Sequence, residues 1–360
     1  MIEQPLSEGV TAPRPLGPIR RPSSWNAATL AAAPERWRLS LSDAECRELE
    51  RAARGALDRA LPLGALRPND VPLPTLGPRL DALRRELVDG VGFAVLSGLS
   101  LDGHGAPMRA ALFCAVGAHL GRTRSQNAAG DLLGHVRDSG ADARDPSTRI
   151  YQTAERQTFH TDSADVVGLL CLRAAKAGGD SLVVSAETIH NRLLETAPEL
   201  LPALFEPIAT DRRGEVPPGA KPWFEIPVLS WHAGRLSVMY QRQYIESAAR
   251  FAEAPRPSAR QLAALDAFDR AANDPSLHVA MRLAPGEMQF VHNHSLLHDR
   301  TAFTDHEAPE RRRHLYRLWL AVEGDRELPG CFAERYGSIA IGDRGGIRTA
   351  ATTLRVPPPE

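Results

Sequence analysis

Lysine is nearly missing from this chain of 360 residues: of its 43 basic side chains, only Lys176 and Lys221 are not arginine. That bias reads as codon usage in a GC-rich genome, not as chemistry. Excess charge is missing too, since 43 basic against 44 acidic side chains leave a net charge of −1. The basic footprint of a general nucleic-acid binder is therefore absent. No apolar run such as 166–172 approaches the ~20 residues of a membrane helix. No charged stretch leads into an apolar one at the N-terminus, so no secretory leader is expected. The four cysteines (Cys46, Cys114, Cys171, Cys331) form no CxxC pair. Reduced, buried thiols and a cytoplasmic location follow as expectations. Nor is there a GxxxxGK[ST], a GxGxxG opening a helix, an HExxH or a GxSxG, which removes the commonest nucleotide, zinc-protease and hydrolase signatures.

What is present changes in texture along the chain. Residues 1–25 are rich in proline and lack periodicity, which suits a flexible N-terminal arm. Ser42 opens a helix with Ala44, Leu49, Ala52, Ala53 and Leu57 on its apolar side and Asp43 and Glu45 in its first turn. Further helices are expected over 76–88 and 107–120, the latter with Gly121 just past its end. Between them, 92–98 is short, apolar and bounded by glycines, as a buried strand would be. From Arg149 onward short strands are expected over 149–153, 166–173, 181–185, 224–230, 236–241, 278–283, 287–292 and 313–322. Helical stretches at 186–205 and 258–272 interrupt them. The expected class is α+β with a mainly β core, a closed sandwich or barrel fronted by helices. A helical part over 40–121 and a β core over about 149–322 make one domain spanning 26–350, followed by a tail, 351–360.

Three segments carry chemistry. In Phe159-His160-Thr161-Asp162, a strand conformation turns His160 and Asp162 to one face, so an imidazole and a carboxylate reach a single point. That is two thirds of a 2-His-1-carboxylate triad, which holds Fe(II) and leaves positions open. Far downstream, His292, His294 and His298 fall within seven residues. His298 ends an apolar run just before a polar stretch, a place where ligands gather at a barrel mouth. On the residues alone, His292 and His294 stay open as ligands. Third, Arg311 to Leu320 read as a strand places Arg313, Leu315, Arg317 and Trp319 on one face. An arginine inside an apolar strand is costly to bury unless it meets an anion, and a guanidinium clamps a carboxylate through two hydrogen bonds. An internal Asp or Glu is the other partner to consider.

In order and spacing these segments, with Gly178-Gly179-Asp180-Ser181 between them, resemble the Fe(II)/2-oxoglutarate dioxygenases of the taurine dioxygenase (TauD/TfdA) and clavaminate synthase type. The match runs over about 149–320. The resemblance implies a double-stranded β-helix (jelly-roll) core with flanking helices. It implies His160, Asp162 and His298 as iron ligands, and Ser181, in place of the family's threonine, with Arg313 on the distal carboxylate of 2-oxoglutarate. Arg317 falls where some relatives meet an anionic group on the substrate, and serves either substrate or 2-oxoglutarate. The implied cofactors are Fe(II), 2-oxoglutarate and O2, and the reaction is C–H oxidation, by default hydroxylation, of a small molecule. Halogenating relatives lack the carboxylate, so Asp162 argues against halogenation.

The expected partner is a small-molecule substrate, with no nucleic acid and no membrane; a homo-oligomer stays open. Tyr240 and Arg242 are read as packing or an ion pair at the sheet edge rather than pocket residues. The loops 138–147 and 212–222 are candidate lids. Two other readings remain: a cupin-type metalloenzyme without 2-oxoglutarate, which has no reason to bury Arg313, and a non-catalytic metal- or ligand-binding relative.

Overall fold

Prolines and glycines decide where the regular elements start and break. The computed structural model describes residues 14–15, 17–142 and 149–358. Its helices include α1 (Asp43–Asp58), α2 (Gly77–Asp89), α3 (Ala106–Leu120), α4 (Ala186–Thr196), α5 (Ala259–Ala272) and α6 (Ala333–Tyr336). Its main strands are β1 (Arg38–Ser40), β2 (Phe93–Ser97), β3 (Gly134–Val136), β4 (Gln157–His160), β5 (Val166–Arg173), β6 (Ser181–Ser185) and β7 (Ile208–Asp211). They continue with β8 (Trp223–Ile226), β9 (Leu229–His232), β10 (Arg235–Val238), β11 (His278–Met281), β12 (Met288–His292), β13 (Leu296–Arg300) and β14 (His314–Ala321). Ser42 caps α1 in a reciprocal box with Glu45, whose carboxylate accepts from the Ser42 N–H at 2.8 Å. Ser258 caps α5 in the same way through Gln261.

Helices and strands mix around a large β-sheet core. The larger sheet runs β1-β2-β12-β5-β14, and β3 and Arg122–Thr123 both pair with the far edge of β14. The smaller sheet runs β11-β6-β13-β4, antiparallel throughout. The two-residue period of each strand sorts its side chains into layers. On β5, Val166, Leu170 and Leu172 pack against α1–α3, while Val167 and Cys171 face between the sheets. On β14, Tyr316, Leu318 and Leu320 go to the helices, and Leu315 and Trp319 go between the sheets. On the smaller sheet Leu182, Val184 and Leu297 turn outward under α4 and α5, leaving Val183 and Leu296 inside. The inward face of both sheets is therefore where Ser181, His298 and Arg317 also lie.

Several sequence-based expectations change. Residues 149–153 form no strand: Ile150–Gln152 is a 3-10 turn, closed by the Thr153 N–H on the Ile150 carbonyl. The strand read at 224–230 is two strands, β8 and β9, because Pro227 between them has no N–H for a ladder. Pro198 likewise ends α4, and 201–205 continues as a separate 3-10 segment. β4, β7 and β13 are additional strands. β13 reads as a loop in sequence because it carries Asp299 and Arg300, yet both are buried: Arg156 donates to Asp299 at 2.6 Å and Arg300 to the Thr153 carbonyl at 2.8 Å. Of the arm, 1–13 and residue 16 lie outside the described residues. Ile19, Ser23 and Trp25 are docked, Ser23 donating to Glu187 at 2.7 Å and Trp25 Nε1 to the Val91 carbonyl. The 138–147 loop is described only to residue 142, and the tail only to 358.

A fully buried charge cluster ties the C-terminal segment to the sheets. Arg344 donates from Nε to Asp165 at 2.6 Å and from Nη2 to Asp325 at 2.9 Å. His294 Nε2 lies 2.8 Å from Asp165, and His292 Nε2 lies 3.0 Å from Asp325. Burial works against the Asp325 carboxylate, but His292, His294 and Arg344 outweigh it and hold its pKa well below the usual range. Removing one partner strands the others in a dry interior, a loss of about 3–5 kcal/mol. Arg344→Met should therefore lower unfolding free energy in urea by about that amount; a change under about 1 kcal/mol would contradict the cluster's structural role.

Candidate active site

The site grows from the register of β4 and β13. His298 stands directly across from His160, with ring centroids 4.2 Å apart. His160 is the last residue of its strand, so the shared face expected for His160 and Asp162 is not continued as sheet. The chain instead turns: the Thr161 N–H donates to the Tyr240 carbonyl at 2.9 Å and the Asp162 N–H to Asn293 Oδ1 at 3.0 Å. That turn brings the carboxylate back toward the imidazoles. Asp162 Oδ1 is 3.9 Å from His160 Nε2, and Oδ2 is 3.8 Å from His298 Nε2. One donor atom from each of the three lies within 4.8 Å of the others.

The protonation states suit a divalent cation. Burial drives the His298 pKa down to about 3, helped by His160, and burial lowers that of His160 as well. Both rings are then neutral. His160 Nδ1 lies 2.9 Å from the Thr158 carbonyl, which assigns the proton to Nδ1 and the lone pair to Nε2, where the Gln157 amide sits 2.8 Å away. Burial opposes ionisation of Asp162, but Arg317, His298 and His160 prevail and its pKa is lowered. Trp319 Nε1 donates to its Oδ2 at 2.8 Å, and Arg317 Nη1 stands 3.6 Å from the same oxygen. Two neutral imidazoles and one ionised carboxylate are a fitting donor set for Fe(II). The other histidines belong elsewhere. His292 and His294 sit in the charge cluster, where Arg344 already occupies both carboxylates.

Two chambers meet at this point. The first, ≈ 700 Å³ of space including its mouth, contains His160, Asp162, His298, Ser181, Arg313 and Arg317 on its walls. Arg313 is buried, its Nη1 has no hydrogen-bond partner, and burial lowers its pKa to about 10. Its guanidinium lies against Phe303, 5.1 Å from the ring centre. The pair Gly178-Gly179 makes room for it: both have positive φ, and a Cβ on Gly179 would stand 3.0 Å from Arg313 Nε. Ser181 Oγ donates to Gln289 Oε1 at 2.7 Å. An orphaned guanidinium edge in a chamber that also has a hydroxyl on its wall is a fitting receptor for a carboxylate.

The second chamber, ≈ 610 Å³, shares Tyr151, Gln157, Asp162 and Arg317 with the first. Arg317 is thus on the partition, its Nε donating to Gln126 at 2.7 Å and its guanidinium over Tyr151. Tyr240 lines this chamber but spends its hydroxyl on Asp269 at 2.6 Å, and Arg242 is held by Glu246, Asp266 and Asp269. Sequence reasoning passed over Gln126, Asn293, Arg149 and Arg335. Trp319 was visible as the next same-face residue after Arg317; the others carry no local pattern that marks them.

The comparisons with known proteins agree with this geometry. Residues 57–319 match the family model described as taurine catabolism dioxygenase TauD, TfdA family, and the chain belongs to that family. It is therefore an Fe(II)- and 2-oxoglutarate-dependent dioxygenase, an oxidoreductase that couples decarboxylation of 2-oxoglutarate by O2 to C–H oxidation of a small molecule. The chain is 35% identical over 316 residues to FR-33289 synthase of Streptomyces rubellomurinus, covering 87% of this chain and 93% of that protein. It is 32% identical over 299 residues to the taurine hydroxylase-like protein SAT17 of Stachybotrys chartarum, covering 80% and 75%. An asparagine oxygenase solved with Fe(II), 2S,3S-3-hydroxyasparagine and succinate shares the fold, at TM-score 0.59 and 21% identity, covering 79% of this chain and 93% of that one. No helix among the described residues is long and apolar enough to cross a membrane.

His314, next to Arg313, is a titratable neighbour outside the donor set. Its pKa is driven down to about 3 by burial, with neighbouring His135 and the guanidiniums of Arg173, Arg137 and Arg313 adding to the effect. The unfolded chain takes up that proton near its ordinary value of about 6.5. The neutral ring thus contributes stability above that pH which is lost as pH falls from there toward about 3. His314→Leu should flatten this part of the stability profile; an unchanged profile by chemical denaturation at stepped pH would contradict the assignment.

Proposed function

We propose that His160, Asp162 and His298 hold the Fe(II), that Arg313 and Ser181 hold the distal carboxylate of 2-oxoglutarate in the first chamber, and that the second chamber takes a small anionic substrate. The observation that carries this reading is the unpartnered Nη1 of buried Arg313, in a chamber that also reaches the three donor groups. Bound there, the metal would supply activation of O2 with 2-oxoglutarate as reductant, giving succinate, CO2 and, from R–H, the alcohol R–OH.

The residues of the chain provide the setting. The neutral imidazoles offer lone pairs without a proton to displace, and Asp162 offers the single negative charge. Trp319 and Asn293 fix that carboxylate, the one through Oδ2 and the other through the backbone, as partners of metal ligands commonly do. Arg313 clamps the co-substrate at its far end, and Ser181 turns its hydroxyl from Gln289 toward the same carboxylate. Arg317, on the partition, steadies Asp162 and faces the substrate. The long loop 212–222 packs behind the second chamber, where its buried Glu215 pairs with the lining residue Arg149, and its ends are tied by the Arg212 N–H on the Pro222 carbonyl at 3.0 Å. In this reading the two sheets are the faces of a double-stranded β-helix within one domain over 26–350, acting in the cytoplasm.

Purified protein with Fe(II), ascorbate and 2-oxoglutarate in air should release succinate slowly without added substrate. Arg313→Ala should raise the 2-oxoglutarate KM by about 10–100-fold, the worth of a charge-assisted pair. His160→Ala and Asp162→Ala should abolish turnover. Full activity in either ligand variant would remove the triad, and an unchanged KM in Arg313→Ala would remove the co-substrate assignment.

A further inference from the structure

The far end of the first chamber is built from strand ends. Ser181 opens β6, Met281 closes β11 and Arg300 closes β13, and the register sets both Met281 and Arg300 opposite Ser181. Arg313 directly precedes β14, whose first residue, His314, pairs with Arg173, the last of β5. His298 lies two residues deeper, opposite Val183. The chamber therefore runs from the donor groups to the edge where the connections 174–180, 282–287 and 301–313 leave the sheets. It reaches the surface there. Ala174, Ala175, Gly178 and Arg282 are on its wall, and Arg282 is exposed. None of these four lines the second chamber.

An approach from the second chamber meets an obstacle. The wall common to both chambers consists of Tyr151, Gln157, Asp162 and Arg317, so a molecule coming from that side passes the donor groups themselves. With a substrate seated beside them, that way is barred to anything formed in the first chamber.

The other opening is crossed by one contact. Arg282 Nη2 donates to the Ala175 carbonyl at 2.7 Å, joining the residue after β11 to the connection after β5. Arg282 makes no ion pair with a described residue, and Glu287, the nearest acidic residue along the chain, faces Arg38 at 3.7 Å. A guanidinium on a neutral carbonyl gains by exchanging it for a carboxylate, because a charge-assisted hydrogen bond is about twice as strong. Further in stand buried Arg300 and Arg313, on the chamber wall and against Phe303. Arg300 Nε and Arg313 Nη1 have no hydrogen-bond partner. The cations thus descend from an exposed rim to a buried floor, a field that draws a dianion inward.

We propose that the first chamber has a door of its own, latched by Arg282 on the Ala175 carbonyl, through which 2-oxoglutarate enters and succinate leaves without crossing the second chamber. Arg282 is a positioning residue: it captures the dicarboxylate at the rim, and Arg313 holds it afterwards. This rests on the assignment of the first chamber to 2-oxoglutarate.

The test is rapid mixing, without oxygen, of the full chain loaded with Fe(II) against 2-oxoglutarate, followed through the charge-transfer band that a 2-oxo acid gives on chelating Fe(II). Arg282→Gln should slow association by about 3–10-fold, and Arg282→Glu by more, while Arg313 keeps the equilibrium Kd within about 3-fold. Association to the unaltered chain should slow as salt rises from about 0.02 M to about 0.5 M, and Arg282→Gln should flatten that dependence. Ala174→Trp, which narrows the opening, should slow association and dissociation together by about 10-fold or more and leave Kd nearly unchanged. Unchanged rates in both Arg282→Glu and Ala174→Trp would overturn the door. A Kd raised about 10-fold in Arg282→Gln at an unchanged association rate would overturn it too, since Arg282 would then belong to the bound state. No band from the unaltered chain with Fe(II) bound would overturn the reading on which the proposal rests.

Discussion

An ionised carboxylate with almost no water around it is the constraint on which the site depends. Asp162 is buried and its charge is kept by Arg317 at 3.6 Å and the Trp319 N–H at 2.8 Å. Each of these fixes something else. Trp319 and Arg317 are same-face residues of β14, so the carboxylate is tied to the larger sheet, while His160 and His298 belong to the smaller one. The donor set thus spans the gap between the sheets. A cation placed there would join them, which accounts for a carboxylate standing under 4 Å from each of two neutral imidazoles.

Behind the site stands the second charge system, Asp165, Asp325 and Arg344, whose work is mechanical. Asn293 links the two: it accepts from the Asp162 N–H, its amide donates to the Ala164 carbonyl, and its own N–H donates to the Asp165 carbonyl. Through Arg344 and Tyr336, which packs on His294, the C-terminal segment is held against the core. That segment carries Arg335 to the second chamber. The folded tail and the chemistry of the chamber are therefore consequences of one buried network, and neither is free to drift without the other.

The sheet core was legible because its strands obey a two-residue period: 166–173 and 181–185 read as they stand, and Arg313, Leu315, Arg317 and Trp319 do share a face. The Gly-Gly pair before Ser181 was legible as a motif, though its reason, space for the Arg313 guanidinium, needs coordinates. β13 was hidden by Asp299 and Arg300, since buried charges look like a loop until their partners, Arg156 and a carbonyl, come from elsewhere in the chain. The cluster of Asp165, Asp325 and Arg344 was hidden for the same reason, its members being nearly 180 residues apart. His160 and Asp162 stood out in the sequence as a pair and His298 through the family resemblance; the convergence of Asp162 owes more to the turn after β4 than to strand alternation.

The most direct test is where a metal binds. Crystals grown without oxygen in the presence of Fe(II) should be measured above and below the iron absorption edge. The account predicts one anomalous peak, between His160 Nε2, Asp162 and His298 Nε2, and none at Asp165, His294 and Asp325, where Arg344 holds both carboxylates. A peak at the second cluster, or full metal loading with the first left empty, would contradict it.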